Sequence, residues 1–251
     1  MRFLSLALLC GLSFSAFSAS SVLAADIPAR VDISYSITSG GLEGEVNDTL
    51  QIKRESGTRS YAISSEARAK GMLALTQPDP IMLDSAGSIT AEGSLRPSRF
   101  SNQHGKKIPK VAIFDWNRKL LTLQHKRGEE QKTLPANIQD RLSLLYSFMF
   151  SPVSGKVVKL HVTDGKRLEP VRYTVGKETL DTPMGKLETI VLTKQTENDG
   201  ERGKKIWLAV DHHMLPVRIV ATEKIGIVTD QIVTKINYGE SANSVKQGRL
   251  Q

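Results

Sequence analysis

Apolar and polar residues alternate along most of this chain, and this period of two is typical of β-strands that bury one face. The segment Val31–Ile37 shows it most clearly, with an apolar residue at every odd position. In Val46–Ile52 the alternation is interrupted by Asp48, an acidic residue on the apolar face. The pattern predicts strands over Val31–Ile37, Val46–Ile52, Tyr61–Ala67, Ile81–Leu83, Ser88–Glu92, Val111–Trp116, Leu120–His125, Val157–Thr163, Arg172–Val175, Leu187–Thr193, Ile206–Val210, Val217–Ala221 and Ile227–Ile236.

Short links join these segments, and no long linker divides the chain. Turn residues such as Ser56-Gly57 and Asp164-Gly165 separate the strands. A change of apolar phase near Gln231 predicts a bulge in the last strand. We therefore expect a mainly β protein, built as a large curved antiparallel sheet or a β-barrel of roughly a dozen strands. It should form a single all-β domain over residues 25–251, with a polar C-terminal tail from about residue 240.

One segment, Ile138–Phe150, follows a helical period instead. Its apolar residues recur at i, i+4, i+7 and i+11. Asn137 can cap the helix and Pro152 can end it. The second half is apolar on nearly every side, so this one α-helix, at about residues 138–150, should be buried inside the sheet or barrel. The candidate cavity-lining residues are Leu142, Leu145, Tyr146, Phe148 and Met149.

The N-terminus predicts export. Arg2 is followed by a short, mostly apolar run over Phe3–Phe17 and then by Val22-Leu23-Ala24, which together resemble a secretory signal peptide over residues 1–24. The run is too short to span a bilayer as a helix. Removal of this peptide would also remove Cys10, the single cysteine. The mature chain would then be delivered to the periplasm and would not span the membrane.

The chain carries a formal net charge of +8, and much of it is concentrated between Lys106 and Lys132. There, eight Lys and Arg residues stand against three acidic residues. Export argues against nucleic acid as a partner and favours a lipid or another anionic component of the cell envelope. The alternative, which we prefer, is that these charges keep turns and edge strands soluble. The candidate anionic-surface contacts are Lys106, Lys107, Arg118, Lys119, Lys126 and Arg127.

Motifs of catalysis do not occur in the mature chain. It has no G-x-S-x-G elbow, no S-x-x-K motif, no P-loop and no G-x-G-x-x-G fingerprint. The histidines show no metal-ligand spacing, and the adjacent His212 and His213 fit an exposed turn better than a metal site. The sequence therefore predicts a protein that is not an enzyme, with no catalytic residues, no cofactor and no metal.

Two charged positions allow alternative interpretations. Asp140-Arg141 could be a polar anchor inside a cavity. Alternatively, the pair could lie in an N-terminal turn that emerges into solvent, or Arg141 could be paired to a strand carboxylate. The second interpretation is preferred. Asp115-Trp116, at the end of a strand, has the same ambiguity, and a tryptophan there is more often part of a core than a ligand platform.

A set of ordered motifs resembles the bacterial secreted family known as domain of unknown function 3108. The motifs are Gly93-Ser94-Leu95-Arg96-Pro97 with Phe100, Phe114-Asp115-Trp116, Gln139-Asp140-Arg141-Leu142-Ser143-Leu144-Leu145-Tyr146, Thr182-Pro183-Met184-Gly185, Ile206-Trp207-Leu208 and Leu215-Pro216-Val217-Arg218. The resemblance covers roughly Tyr35 to Ile236 and implies a β-rich envelope protein without an established activity.

The C-terminal third is similar to the periplasmic lipoprotein-carrier fold, through Trp207, Pro216, Arg218, Gly226 and the last strand. Those carriers hold acyl chains in a curved sheet covered by several helices, whereas only one substantial helix is predicted here. Two functions therefore stay open. One is a binding or carrier protein with an apolar cavity between sheet and helix, and the other is a structural or assembly factor whose barrel is filled by its own helix.

Overall fold

The computed structural model describes residues 27–71, 74, 78–196, 203–222 and 226–239. The predicted signal peptide, with Cys10, and the predicted tail from about residue 240 lie outside these residues. Within them, fifteen strands follow the alternating sequence pattern, and a short α-helix departs from it. The strands are β1 (Arg30–Ser39), β2 (Leu42–Glu55), β3 (Thr58–Ala69), β4 (Ile81–Ile89), β5 (Leu95–His104), β6 (Lys110–Asp115), β7 (Leu120–His125), β8 (Gly128–Thr133), β9 (Ile138–Asp140), β10 (Val157–Thr163), β11 (Leu168–Thr182), β12 (Gly185–Lys194), β13 (Gly203–Ala209), β14 (Leu215–Thr222) and β15 (Val228–Tyr238); the helix is α1 (Ser143–Ser147), and a short 3-10 helix spans Val210–His212.

All fifteen strands belong to one curved sheet in the order β8-β7-β6-β5-β4-β3-β2-β1-β15-β14-β13-β12-β11-β10-β9. Each neighbour pair is antiparallel, except that β9 runs parallel to β10. The first strand pairs with the last, so β1 and β15 join the two halves of the chain into one surface. The hydrogen-bonded ladder starts at β8 and ends at β9 without returning to its start. The sheet is therefore open, and of the two predicted architectures the curved sheet is confirmed while the closed barrel is not formed.

The sequence missed β5 and divided β4. Ser88–Glu92 was predicted as a separate strand, but β4 continues to Ile89, and Thr90–Ser94 form a turn closed by the Thr90 N–H donating to the Ser94 carbonyl. In β5, Pro97 and a bulge interrupt the alternation, because the register with β4 shifts between Ala86 and Gly87. The bulge predicted near Gln231 lies a few residues later, where the register of β15 against β1 shifts at Thr234.

The predicted helix over 138–150 is wrong in its length. Ile138–Asp140 instead form β9, which pairs with His161–Thr163 of β10. The helix begins only at Ser143 because the Asp140 carboxylate accepts the backbone N–H groups of Leu142 and Ser143, at 2.9 and 2.8 Å. Asn137 does not cap it; its side-chain amide donates to the Lys159 carbonyl across the strand edge.

The concave side of the sheet holds the core, and α1 lies within it. Leu144 and Tyr146 are almost completely buried, as are inward-facing strand residues such as Leu50 and Leu208. The helix contacts β5 and β9 as well as β14, which come from opposite halves of the chain. Tyr35 adds a direct link, because its hydroxyl donates to the Pro216 carbonyl at 2.8 Å. The buried position predicted for the helix is confirmed.

Candidate functional site

A cavity of about 380 Å³ opens at one end of the concave face. It lies where β1, β3, β5 and β14 end and where β2 and β4 begin, on the far side of the core from the C-terminal end of α1. We call it the mouth cavity. Its apolar wall is formed by Ile37, Val46, Ala67, Ile81, Leu83, Val162, Val171, Tyr173, Ile219 and Ala221. Both its volume and its mostly apolar wall are typical of small-molecule sites, which span about 300–1,000 Å³.

Charged side chains line the same cavity. His104, Arg141, Arg167, Lys194 and Lys204 contribute nitrogen groups. Asp164 and Glu169 are the carboxylates among the described lining residues. Asp164 accepts the backbone N–H groups of Lys166 and Arg167, and Glu169 lies 4.0 Å from the Arg167 guanidinium. The remaining balance is cationic, which favours a ligand that combines an apolar body with a negative group.

Electrostatic shifts show that the cations influence one another. Burial, reinforced by the positive charges of Arg141 and Lys194, lowers the pKa of Lys204 to about 7. Partial burial, with the charges of Lys110, Lys107 and Arg141, also lowers the pKa of His104. Both shifts mark a region where positive charge is concentrated.

Beneath the mouth cavity lies a buried polar group formed by Asp48, Ser65, Tyr146 and Tyr35. Asp48 and Ser65 face each other in the register of β2 and β3, and Ser65 also lines the cavity. The Tyr146 hydroxyl donates to Asp48 Oδ2 at 2.6 Å, while Oδ1 has no hydrogen-bond partner among the described residues. Burial raises the pKa of Asp48 to about 6, although the hydrogen bonds from Ser65 and Tyr146 oppose this shift.

A second buried carboxylate, Asp140, accepts hydrogen bonds that hold the local structure together. Besides capping α1 through Oδ1, it accepts a 2.6 Å hydrogen bond from Ser85 through Oδ2. Its neighbour Arg141 points to the mouth cavity. The preferred sequence interpretation, a solvent-exposed N-terminal turn, is therefore wrong for Asp140, which is fully buried.

A wider groove of about 680 Å³ lies at the opposite end, between β5, β9 and α1. Arg96 stacks over the Trp116 ring at 4.7 Å on its wall, and Leu144 and Phe148 form its apolar side. The Trp116 indole N–H donates to the Pro97 carbonyl at 2.7 Å, which holds the ring in place. Asp115 caps the following turn by accepting the Arg118 backbone N–H. This groove contains polar and apolar groups without a concentration of charge.

The five candidate lining residues of the helical segment are all buried, but none of them lines the mouth cavity. Phe148 lines the groove at the opposite end. Tyr146 reaches the buried polar group below the mouth cavity through Asp48. The other three, Leu142, Leu145 and Met149, belong to the core cluster.

The six candidate surface cations divide between the two ends of the sheet. Lys106 and Lys107 lie on the β5–β6 turn and Lys126 and Arg127 on the β7–β8 turn, both at the end where the mouth cavity opens. Arg118 and Lys119 lie on the β6–β7 turn at the opposite end. The basic stretch therefore does not gather at one end of the sheet, because successive turns of an antiparallel meander alternate between ends.

The adjacent histidines lie in the turn between β13 and β14. His212 ends the 3-10 helix, and its Nδ1 is 2.9 Å from the Tyr238 hydroxyl. His213 has a left-handed backbone with φ of 53° and packs edge-on against the same ring. Across the described part of the chain, no three His, Cys, Asp or Glu side chains are grouped as a metal site would need. No described helix has the length and apolar character to cross a membrane.

Sequence reasoning missed Lys194 and Lys204 as site residues, although a signal was present. Each continues the inward-facing positions of its strand, after Leu192 in β12 and before Ile206 in β13. A lysine at the end of an apolar face is usually read as a strand terminus, and their proximity depends on the pairing of β12 with β13. Asp48, which interrupts the alternation of apolar and polar residues in β2, is part of the buried polar group.

Comparison with known proteins identifies relatives of unknown function. The family model described as "Protein of unknown function (DUF3108)" matches residues 33–233. Among solved structures, a β-barrel-like protein of domain of unknown function DUF1849 from Brucella abortus aligns with a TM-score of 0.52 and 12% identity, covering 85% of this chain and 99% of its own. A DUF1329 family protein from Desulfovibrio piger aligns with a TM-score of 0.26 and 13% identity, covering 90% of this chain and 93% of its own. No curated protein matches.

Proposed function

The chain belongs to the DUF3108 family of proteins of unknown function, as its motifs predicted, and from that premise we propose that it is a non-enzymatic, periplasmic binding protein that holds a lipid-like ligand in the mouth cavity. The observation that carries the proposal is an apolar-walled cavity of about 380 Å³ that opens at the end of the concave face. A concave, mainly apolar wall with polar groups at defined positions is the usual design of a site for a small molecule that has an apolar part.

The packing around the cavity supports binding rather than catalysis. The described lining residues offer no nucleophile hydrogen-bonded to a base, and the buried carboxylate nearest the cavity, Asp48, is bonded to Tyr146 and Ser65 instead of facing a substrate. Part of the cavity wall, including Val46, Tyr173 and Ile219, belongs to the buried core, so this part is preformed. A preformed site binds without the cost of ordering loops or side chains.

The decisive experiment is native mass spectrometry, with lipid extraction, of the protein purified from its own periplasm. We expect a co-purifying apolar molecule that is released on denaturation. A matched pair of variants locates it. Ala221→Trp fills the mouth cavity from β14, whereas Val220→Trp places the same bulk on the opposite face of that strand. We expect the Ala221 variant to lose the ligand and the Val220 variant to keep it. Retention of the ligand by the Ala221 variant would contradict the proposal.

The cationic turns at the mouth end fit an anionic envelope surface, which we propose as the partner from which the ligand is exchanged. Neutralising Lys106, Lys107, Lys126 and Arg127 should weaken binding to vesicles containing anionic phospholipid. Neutralising Arg118 and Lys119 at the opposite end should not. Vesicle binding that falls equally in both variants would mean that net charge, rather than this surface, determines the interaction.

A structural or assembly role is the second candidate, and the filled interior around α1 favours it. Leu144, Leu145 and Tyr146 are buried by the protein itself. The part of the concave space around α1 therefore needs no ligand to fill it. Under this function, the periplasmic protein would carry no extractable molecule, and filling the mouth cavity at Ala221 would leave its activity in the cell unchanged.

A further inference from the structure

The register of the sheet places two lysines side by side on the concave wall of the mouth cavity. The β12–β13 ladder ends with the pair Thr193 and Lys205, so Lys194 and Lys204, the residues just beyond this pair, lie close to each other. Lys194 also pairs with Tyr173, and Lys204 with Ala221, and all four residues line the cavity. Lys205 points to the other face, where its ammonium lies 4.9 Å from the centre of the Trp207 ring.

The proximity of these two lysines lowers the stability of the ligand-free fold. Like charges directly opposite each other on one face of a sheet repel, and here the repulsion acts at a partly buried wall. Arg141 adds a third cation to the same cavity from the segment after β9. Among the described residues, neither lysine forms an ion pair. The depressed pKa of Lys204 reflects the same burial and the same two neighbours.

We infer that Lys194 and Lys204, with Arg141, bind the anionic head group of the ligand, a carboxylate or a phosphate, while its apolar chain lies against Tyr173, Leu83 and Ile219. This inference rests on the proposed function and specifies the ligand class, a single-chain anionic amphiphile. A carboxylate or phosphate accepts charge-assisted hydrogen bonds from ammonium and guanidinium groups and neutralises their mutual repulsion.

The test measures binding of four probes that share one chain and differ in the head group. Decanoate and decyl phosphate should bind at least about tenfold more tightly than decanol or decyltrimethylammonium, because only an anionic head group accepts charge-assisted hydrogen bonds from the cations of the cavity. Inorganic phosphate serves as the anion without a chain. Binding is followed by calorimetry on the delipidated mature protein, below the critical micelle concentration of each probe.

Lys204→Met removes the charge and keeps the length of the side chain, and Lys205→Met is the matched control on the opposite face. We expect the Lys204 variant to lose the preference for decanoate over decanol by about tenfold, with Lys205→Met unchanged. The ligand-free melting temperature of Lys204→Met should rise, because repulsion and desolvation are relieved. A fall would mean that Lys204 already has an internal counter-ion, such as Glu197, Asp199 or Glu201 of the β12–β13 connection, and would overturn the inference.

The remaining outcomes separate this inference from the proposed function. Equal binding of decanol and decanoate would overturn the anionic site and leave lipid-like binding in place. Equal binding of inorganic phosphate and decyl phosphate would support the anionic site and overturn the apolar ligand. Absence of binding by all four amphiphiles would overturn both.

Discussion

Single residues in this protein carry the polar chemistry of an otherwise apolar interior. Two aspartates are fully buried, and their surroundings differ. Asp140 has partners on both oxygens and fixes the start of α1. Asp48 has one oxygen bonded to Tyr146 and one without a partner among the residues that the structure describes, next to the cavity-lining Ser65. A buried carboxylate with an unsatisfied oxygen lowers stability when it is ionised.

The pH dependence of stability should therefore depend on Asp48. Its pKa is raised from 3.8 to about 6 in the folded protein, so the folded state binds more protons than the unfolded state between these values. Stability from this group is fully present below about pH 4 and is lost as the pH rises through 6. The loss is about 3 kcal/mol. Asp48→Asn keeps an acceptor for Tyr146 and should lack this loss.

The measurement is the free energy of unfolding by urea at several pH values, taken as wild type minus variant. For Asp48→Asn the difference should fall from acid to neutral pH. Asp32→Asn is a control of opposite sign, because the Arg30 hydrogen bond lowers the pKa of Asp32 and its contribution is lost as the pH falls. A flat difference curve for Asp48→Asn would contradict the assignment.

At the scale of elements, α1 is too short to be stable by itself. It has five residues, whereas isolated helices need about 12–15 to form in water. Its position depends on the Asp140 cap at one end and on burial between β5, β9 and β14. The helix is therefore held in place by the surrounding sheet and by the hydrogen bonds of Asp140.

Replacing the cap tests this dependence. Asp140→Ala leaves the Leu142 and Ser143 N–H groups and the Ser85 hydroxyl without an acceptor, and should destabilise the protein by about 2–5 kcal/mol. Asp140→Asn retains the acceptor for both N–H groups, and the Ser85 hydroxyl can rotate to accept from the new amide, so its cost should be much smaller. The comparison is made by thermal and urea unfolding. Equal losses in the two variants would show that charge, rather than capping, is the contribution of Asp140.

The sequence predicted most strands of this sheet because the alternation of apolar and polar residues is visible within each strand's own segment. It failed where a tertiary contact overrides the local pattern. Ile138–Asp140 continue the helical spacing of the next residues, yet pair with β10. The strand β5 carries Pro97 and a bulge. The site depends on pairings distant in sequence, such as β12 with β13 and β1 with β15, so the proximity of Lys194 and Lys204 could not be predicted from their spacing.

At the scale of the whole molecule, the two halves share one sheet and one core. The β1–β15 pairing joins the N-terminal and C-terminal strands, α1 contacts β5 and β14, and Tyr35 bonds the Pro216 carbonyl. If one half of the chain unfolded while the other stayed folded, one face of α1 would lose its cover. The protein should therefore unfold as one cooperative unit.

The two tryptophans allow this to be measured, because Trp116 lies in the first half and Trp207 in the second. In Trp116→Phe and Trp207→Phe, the remaining tryptophan reports one half while circular dichroism reports the whole sheet. We expect the fluorescence and circular dichroism midpoints in urea to coincide within each variant. Adding Leu145→Ala, which opens a cavity in the core at a cost of about 2–5 kcal/mol, should lower both tryptophan midpoints by the same amount. If Leu145→Ala moved the midpoint of one tryptophan and left the other in place, the halves would be independent units that merely share an edge.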